Sequence, residues 1–140
     1  MIVYDIRSRF LADTVATATP ARLLTMLFDR LLLDLSRGEE FLVEGRRPEA
    51  TQQLTHAQEI LAQLIGDLNV AIWDGGERLL SIYTYALSQL ISASLVGDVE
   101  KVRTCRALLT PLCEAWREAA AELARSVGPG RPVAGALGVG

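Results

Sequence analysis

A chain of 140 residues, half of them hydrophobic, is long enough for one domain with a real core. A net charge of −3 and an isoelectric point near 5.2, with Arg46 and Arg47 as the only adjacent basic pair, argue against a nucleic-acid partner. Cys105 and Cys113 sit eight apart on one predicted helix, about 12 Å between α-carbons. That is too far for a disulfide, and free thiols fit a reducing compartment, so the cytoplasm is the expected location.

The first ten residues, MIVYDIRSRF, lack the basic start, long apolar run and small-residue cleavage site of a signal peptide. Residues 1–18 read as a mobile arm or short helix, with Ile6, Phe10, Leu11 and Val15 on its apolar side. Thr19 and Pro20 open the first long helix, a cap followed by proline at the first helical position. It runs to about Val43 and stops at Gly45. Pro48 and Glu49 start the second, whose seam of Leu54, Ala57, Leu61, Leu64, Leu68 and Ile72 ends at Asp74-Gly75-Gly76. The third ends at Gly97, and Asp98 caps the fourth.

The fourth helix carries Val99, Val102, Arg106, Leu109, Cys113, Trp116, Ala120 and Leu123 on one seam, and Pro111 should kink it near Ala107 or Leu108. From Val127 the chain becomes a flexible tail of Gly, Pro and small residues. No strand-like alternation occurs. The predicted fold is all-α, an antiparallel four-helix up-down bundle over residues 19–126, with a short N-terminal arm or helix (1–18) and a tail (127–140).

Leu79 to Gly97 is nineteen residues without a charge, the one stretch to weigh as a membrane span. Its Ser, Thr and Gln residues gather on one side, with Ser94 the exception, opposite Leu79, Tyr83, Ala86 and Leu90. That is an amphipathic helix with an uncharged polar face, so no membrane insertion is expected.

Catalytic patterns are absent. His56 and Glu59 form H-x-x-E on the second helix, but the inward positions of the other helices offer Leu, Val, Ala, Tyr and Trp instead of further ligands. His56 is read as a surface or rim histidine, and no metal or cofactor is expected. Gly75-Gly76 follows no strand and cannot be a phosphate loop. Tyr83 and Trp116 read as core, and Tyr85 points outward. The chain is not expected to be an enzyme.

The first helix has more apolar surface than a core stripe needs. In RLLTMLFDRLLLDL, nine of fourteen residues are Leu, Met or Phe. Leu24, Leu27, Phe28, Leu31, Leu32 and Leu35 form a stripe with a wide shoulder, while Met26 and Leu33 fall outside it. These two are stray surface residues or the edge of a second contact. The wide shoulder and the uncharged third helix together favour a peptide-binding bundle. The alternative is a self-associating structural bundle with a homodimer seam.

The run FLADTVATATPARLLTMLFD resembles the opening of the flagellar export chaperone family FliS, an aromatic followed by V-x-T-A-S-P and L-L/I-x-M-L-Y/F-D-G. Phe10, Val15, Thr17 to Pro20, Leu23, Leu24 and Met26 to Asp29 carry the likeness. Gly75, Gly76, Ile82, Tyr83, Tyr85, Ala93, Leu95 and Asp98 match a second segment, and EAWREA places Trp116 in the closing A-W-x-x-A. The resemblance implies a cytoplasmic helical-bundle chaperone that binds the disordered C-terminal segment of flagellin, prevents premature polymerisation, and escorts it to the flagellar type III export gate. It implies an arm, with Phe10 and Val15, that can cover an apolar groove. Leu27, Phe28, Leu31, Tyr83 and Leu87 become candidates for lining client grooves or supporting their walls. Phe10, Arg30, Ala86 and Ser94 depart from the usual Tyr, Gly, Met and Asn, and Arg30 bears most on client fit. Monomer and homodimer both remain open.

Overall fold

The computed structural model describes residues 19–69 and 74–127, which form four helices. These are α1 (Pro20–Val43), α2 (Arg47–Asp67), α3 (Gly76–Val96) and α4 (Val99–Val127). Each packs mainly on its two neighbours in a ring, α1 on α2 and α4, and α3 on α2 and α4. Short connections at Gly45 and Gly97 make those neighbours antiparallel. This is the up-down bundle the helical periodicity predicts. The expected arm, with Phe10 and Val15, and residues 128–140 of the expected tail lie outside the described residues.

Local chemistry sets most helix ends. The Thr19 hydroxyl accepts from the Arg22 amide at 3.1 Å, with Pro20 behind it. Gly45 adopts φ +76°, so the Arg46 amide reaches back to the Phe41 carbonyl at 2.8 Å. Gly97, at φ +72°, ends α3 in the same left-handed way, and the Asp98 carboxylate caps α4 through the Glu100 amide at 3.0 Å. From the start of α2, Arg47 donates to the Ser94 and Leu95 carbonyls at 3.4 and 3.3 Å, a cation at the negative end of α3.

Two boundaries differ from expectation. α2 stops at Asp67, short of the Ile72 its seam implied. Gly66, Asp67 and Asn69 are weak helix formers, and Leu68 reaches the core from extended backbone (φ −77°, ψ 125°). Ile72 lies outside the described residues. On α4 the seam does not extend to Leu123, which is 56% exposed. α4 has 29 residues against 24 in α1, so its last turns outrun the bundle. α4 itself runs unbroken through Pro111; Pro111 and Ala107 are both exposed, so the carbonyl freed by the missing N–H meets water.

The core joins Phe28, Leu31 and Leu35 of α1 to Leu54, Ile60 and Leu61 of α2, Tyr83, Ala86 and Leu90 of α3, and Val102, Cys105 and Leu109 of α4. Arg106 stands aside from this line, and Cys105 fills the position as the sequence allowed. α3 is long and apolar enough to cross a bilayer, yet Leu79, Tyr83, Ala86, Leu90 and Ala93 are buried within the bundle.

α1 packs closely on α2 at Gly38. A methyl group there would stand 2.6 Å from Leu54 Cδ2 and 3.1 Å from Leu54 Cγ. Alanine gains about 1 kcal/mol of helix propensity over glycine, but overpacking a fixed core residue costs about 1–3 kcal/mol. Gly38→Ala should therefore lower stability by about 1 kcal/mol, read as a lower urea midpoint at unchanged slope. Equal or greater stability would show that Leu54 has room to move.

Candidate functional site

The four helix seams are built differently. Across α1 and α4, Glu39 holds Arg103 (Nε to Oε2, 2.7 Å) and Arg106, and Asp29 pairs with Arg117. Across α1 and α2, the fully buried Asp34 carboxylate takes Arg30 Nε at 3.0 Å on one oxygen and His56 Nδ1 on the other. Between α2 and α3, Gln58 donates to the Leu90 carbonyl at 3.3 Å and Arg47 caps α3. Among the described residues, no ion pair crosses between α3 and α4. There the Cys105 thiol donates to the Ala86 carbonyl at 3.3 Å, and the Trp116 side chain lies beside the Tyr83 phenol.

Helical spacing assigns the flanks of this seam. On α3, Leu80, Leu87 and Ser94 are seven apart and share the flank bordering α2, where Arg47 arrives. Ile82 and Gln89 lie on the opposite flank, bordering α4, with Tyr85 at its outer edge. On α4, Arg103, Arg106 and Arg117 point towards α1, so Leu108 and Leu112 fall on the α3 side with Cys105. Ile82, Leu108, Leu112 and Trp116 are partly buried and pack on the core, and Tyr85 is 50% exposed. The result is a row of half-buried apolar side chains along the α3/α4 seam, over a closed core.

The sequence candidates divide over this geometry. Leu27, Phe28, Leu31 and Tyr83 are buried in the core, with Phe28 and Tyr83 rings 6.2 Å apart. They can support the wall behind that row, and no part of Phe28 or Leu31 is open to a ligand. Leu87 is partly buried, on the α2 flank of α3. Sequence reasoning missed Ile82, Leu108 and Leu112 as rim residues; their signal was apolar character one step off a complete core line. It also missed Asp34, which sits three residues after Leu31 on the buried side of α1. His56, read as a rim histidine, is partly buried and turned towards Asp34. No group of three or more potential metal ligands gathers among the described residues.

Burial governs the titratable groups near the seam. It pushes the Tyr83 phenol up to about 12, opposed by the hydrogen bond with Trp116. It pushes the Cys105 thiol up to about 12 as well. Cys113 is also raised by burial, with Arg117 pulling the other way. Both cysteines are free thiols held in the unreactive form, which suits packing and not nucleophilic chemistry.

Comparison with known proteins gives one consistent result. The sequence profile of a family described as "Flagellar protein FliS" matches residues 5–123. The flagellar secretion chaperone FliS of Escherichia coli K12 is 28% identical over 111 residues, covering 76% of this chain and 79% of that protein. The Salmonella typhimurium LT2 protein of the same name is 31% identical over 110 residues, covering 76% and 80%. A crystal structure of a bacterial flagellar chaperone superposes with a TM-score of 0.68 at 18% identity, covering 85% of this chain and 98% of that one, a likeness of fold.

Two predictions follow from the buried groups. Removing Asp34 leaves the Arg30 guanidinium and the His56 ring without their shared partner; because both are partly exposed, the loss is smaller than for a sealed pair. Asp34→Ala should cost about 2 kcal/mol in urea unfolding, and a loss below about 0.5 kcal/mol would contradict a structural role for the carboxylate. Separately, Tyr83 and Cys105 titrate higher folded than unfolded, so their stabilising effect is complete below pH 9 to 10 and disappears as pH rises towards 12. Tyr83→Phe and Cys105→Ala should each flatten the alkaline fall in stability; an unchanged alkaline profile in both would contradict the burial assigned to these groups.

Proposed function

Because the chain belongs to the FliS family of flagellar proteins, we propose that it is a cytoplasmic export chaperone for flagellin. It binds the disordered C-terminal segment of flagellin on its apolar inter-helix surface, keeps the client from polymerising early, and delivers it to the flagellar type III export gate. The observation that carries this reading is the α3/α4 seam, lined by the half-buried Ile82, Leu108 and Leu112 and free of ion pairs among the described residues, which we read as a client groove.

The physical logic is that of a partly unsatisfied surface. The core is complete without Ile82, Leu108 and Leu112, so these side chains keep apolar area to offer a partner. Apolar burial is worth about 25 cal/mol per Å². A client covering about 1,000 Å² would thus gain about 25 kcal/mol before ordering costs, which remove most of it. Such binding is firm enough to hold a disordered segment and weak enough to give it up at an export gate. The fixed wall behind the groove comes from Phe28, Leu31 and Tyr83, with Leu27 beside them, and Leu87 extends the apolar surface towards α2. Arg30 is drawn to Asp34 on the α2 side of α1, so its bulk stands away from the α3/α4 groove. In this reading the arm, through Phe10 and Val15, covers apolar surface when no client is bound.

Isothermal titration with a flagellin C-terminal peptide tests the proposal. Binding should come with a negative heat-capacity change, and Leu112→Glu should weaken it tenfold or more. Deleting residues 1–17 should tighten binding or promote aggregation. No binding at high micromolar peptide would overturn the reading. Sedimentation as a dimer that peptide cannot disturb would favour a homodimer seam instead.

A further inference from the structure

Met26 and Leu33 of α1 belong neither to the core cluster nor to the α3/α4 seam. At about 100° per residue, Arg22, Asp29, Leu33, Arg37, Glu40 and Glu44 fall within about 80° of one another, with Met26 among them. They occupy the side of α1 opposite Leu31 and Gly38, and Leu33 is 41% exposed at its middle. Successive members are three or four residues apart, the spacing by which one helix lies along another. Glu44, the C-cap, still has helical backbone and continues the line. Among the described residues, the side chains of Arg22, Arg37 and Glu40 form no ion pair, and Asp29 stays 53% exposed beside Arg117.

We propose that this outward face of α1 docks a second copy of the chain, the two α1 helices lying antiparallel about a two-fold axis at Leu33. The order of charges selects the occupant. In that register Arg22 of one copy meets Glu44 of the other, Asp29 meets Arg37, Met26 meets the aliphatic stem of Glu40, and Leu33 meets its own equivalent. No like charges face each other. Sliding one helix by seven residues sets Arg22 against Arg37 in one direction and Asp29 against Glu44 in the other. A parallel pairing sets every charge against itself. Two arginines among three carboxylates also leave the face without the one-signed field that would draw a strongly acidic or basic partner. A helix of 24 residues offers a strip about 36 Å long and 10 Å wide, a few hundred Å². Stable dimers bury about 800 Å² from each partner, so this one is weak and concentration-dependent, with its ion pairs setting register more than affinity. α1 packs mainly on α2 and α4, diagonal to α3, so the pairing leaves the α3/α4 seam uncovered. This surface is therefore independent of the export-chaperone reading.

Sedimentation of the full chain from micromolar to millimolar concentration tests the proposal, with Asp29→Arg and Arg37→Glu as separate variants. Both positions are exposed, so each variant should keep the wild-type helical content. Arg22→Glu and Glu44→Arg, which place each charge at its favourable helix end, replace them if either does not. The expected result is a concentration-dependent wild-type dimer, at least tenfold weaker association of each variant alone, and recovery to within threefold of wild type when the two variants are mixed. Mixing restores association because each variant then meets its opposite charge. A wild type that stays monomeric throughout overturns the proposal. A dimer that both single variants keep overturns it by placing association elsewhere, and one that mixing fails to restore overturns the register. In calorimetry a flagellin C-terminal peptide should bind the wild type and the Asp29→Arg variant equally. Binding by that variant alone overturns the α1 face in favour of a dimer closed over the α3/α4 seam.

Discussion

The apolar contact between α3 and α4 is the constraint on which the rest of the molecule turns. Three seams of the ring carry side-chain bridges from a charged group or an amide, from Asp34 to His56, from Glu39 to Arg103 and Arg106, and from Gln58 and Arg47 to the α3 backbone, where α3/α4 has only a thiol. Those bridges fix how α1 sits against both neighbours and how α2 meets α3. The α3/α4 seam relies on side-chain packing, with the Cys105–Ala86 and Tyr83–Trp116 contacts behind it. Apolar packing has no directional partner to lose, so its rims can exchange water for a ligand without stranding a charge.

Rigidity on one side and openness on the other divide the work. Phe28, Leu31, Leu35 and Leu54 are fully enclosed, and deforming that wall would open cavities costing several kcal/mol. Ile82, Leu108 and Leu112 pay no such penalty when covered, since they already rest on the core and only their outer surfaces change environment. In the proposed reading this division would leave the site formed before a client arrives, so that only the client bears the cost of ordering.

Most of the fold was legible in the sequence, because its signals are local. Thr19-Pro20, Gly45, Gly97 and Asp98 punctuate the helices through capping and left-handed backbone, and each acts within a few residues. The α2 end was misplaced because the Leu64, Leu68, Ile72 periodicity continues past Gly66, and periodicity cannot say where backbone turns extended. The candidate site was less legible. A helical wheel separates core from surface, but Phe28 and Leu31 look alike to it as core or as groove, and only packing shows them sealed. Asp34 carries a sequence label of exposure, and its burial depends on Arg30 and on His56 from another helix. Trp116 and Tyr83 meet across α3 and α4, a pairing no single-helix pattern contains.

Methyl-resolved NMR of the protein titrated with the flagellin C-terminal segment addresses the central claim directly, that a client uses the rims of a preformed groove over a closed core. The account predicts large shifts at the methyls of Ile82, Leu108 and Leu112, with Leu31, Leu35 and Leu54 nearly unmoved. Shifts spread evenly through the core, or absent from the α3 and α4 rims, would contradict it.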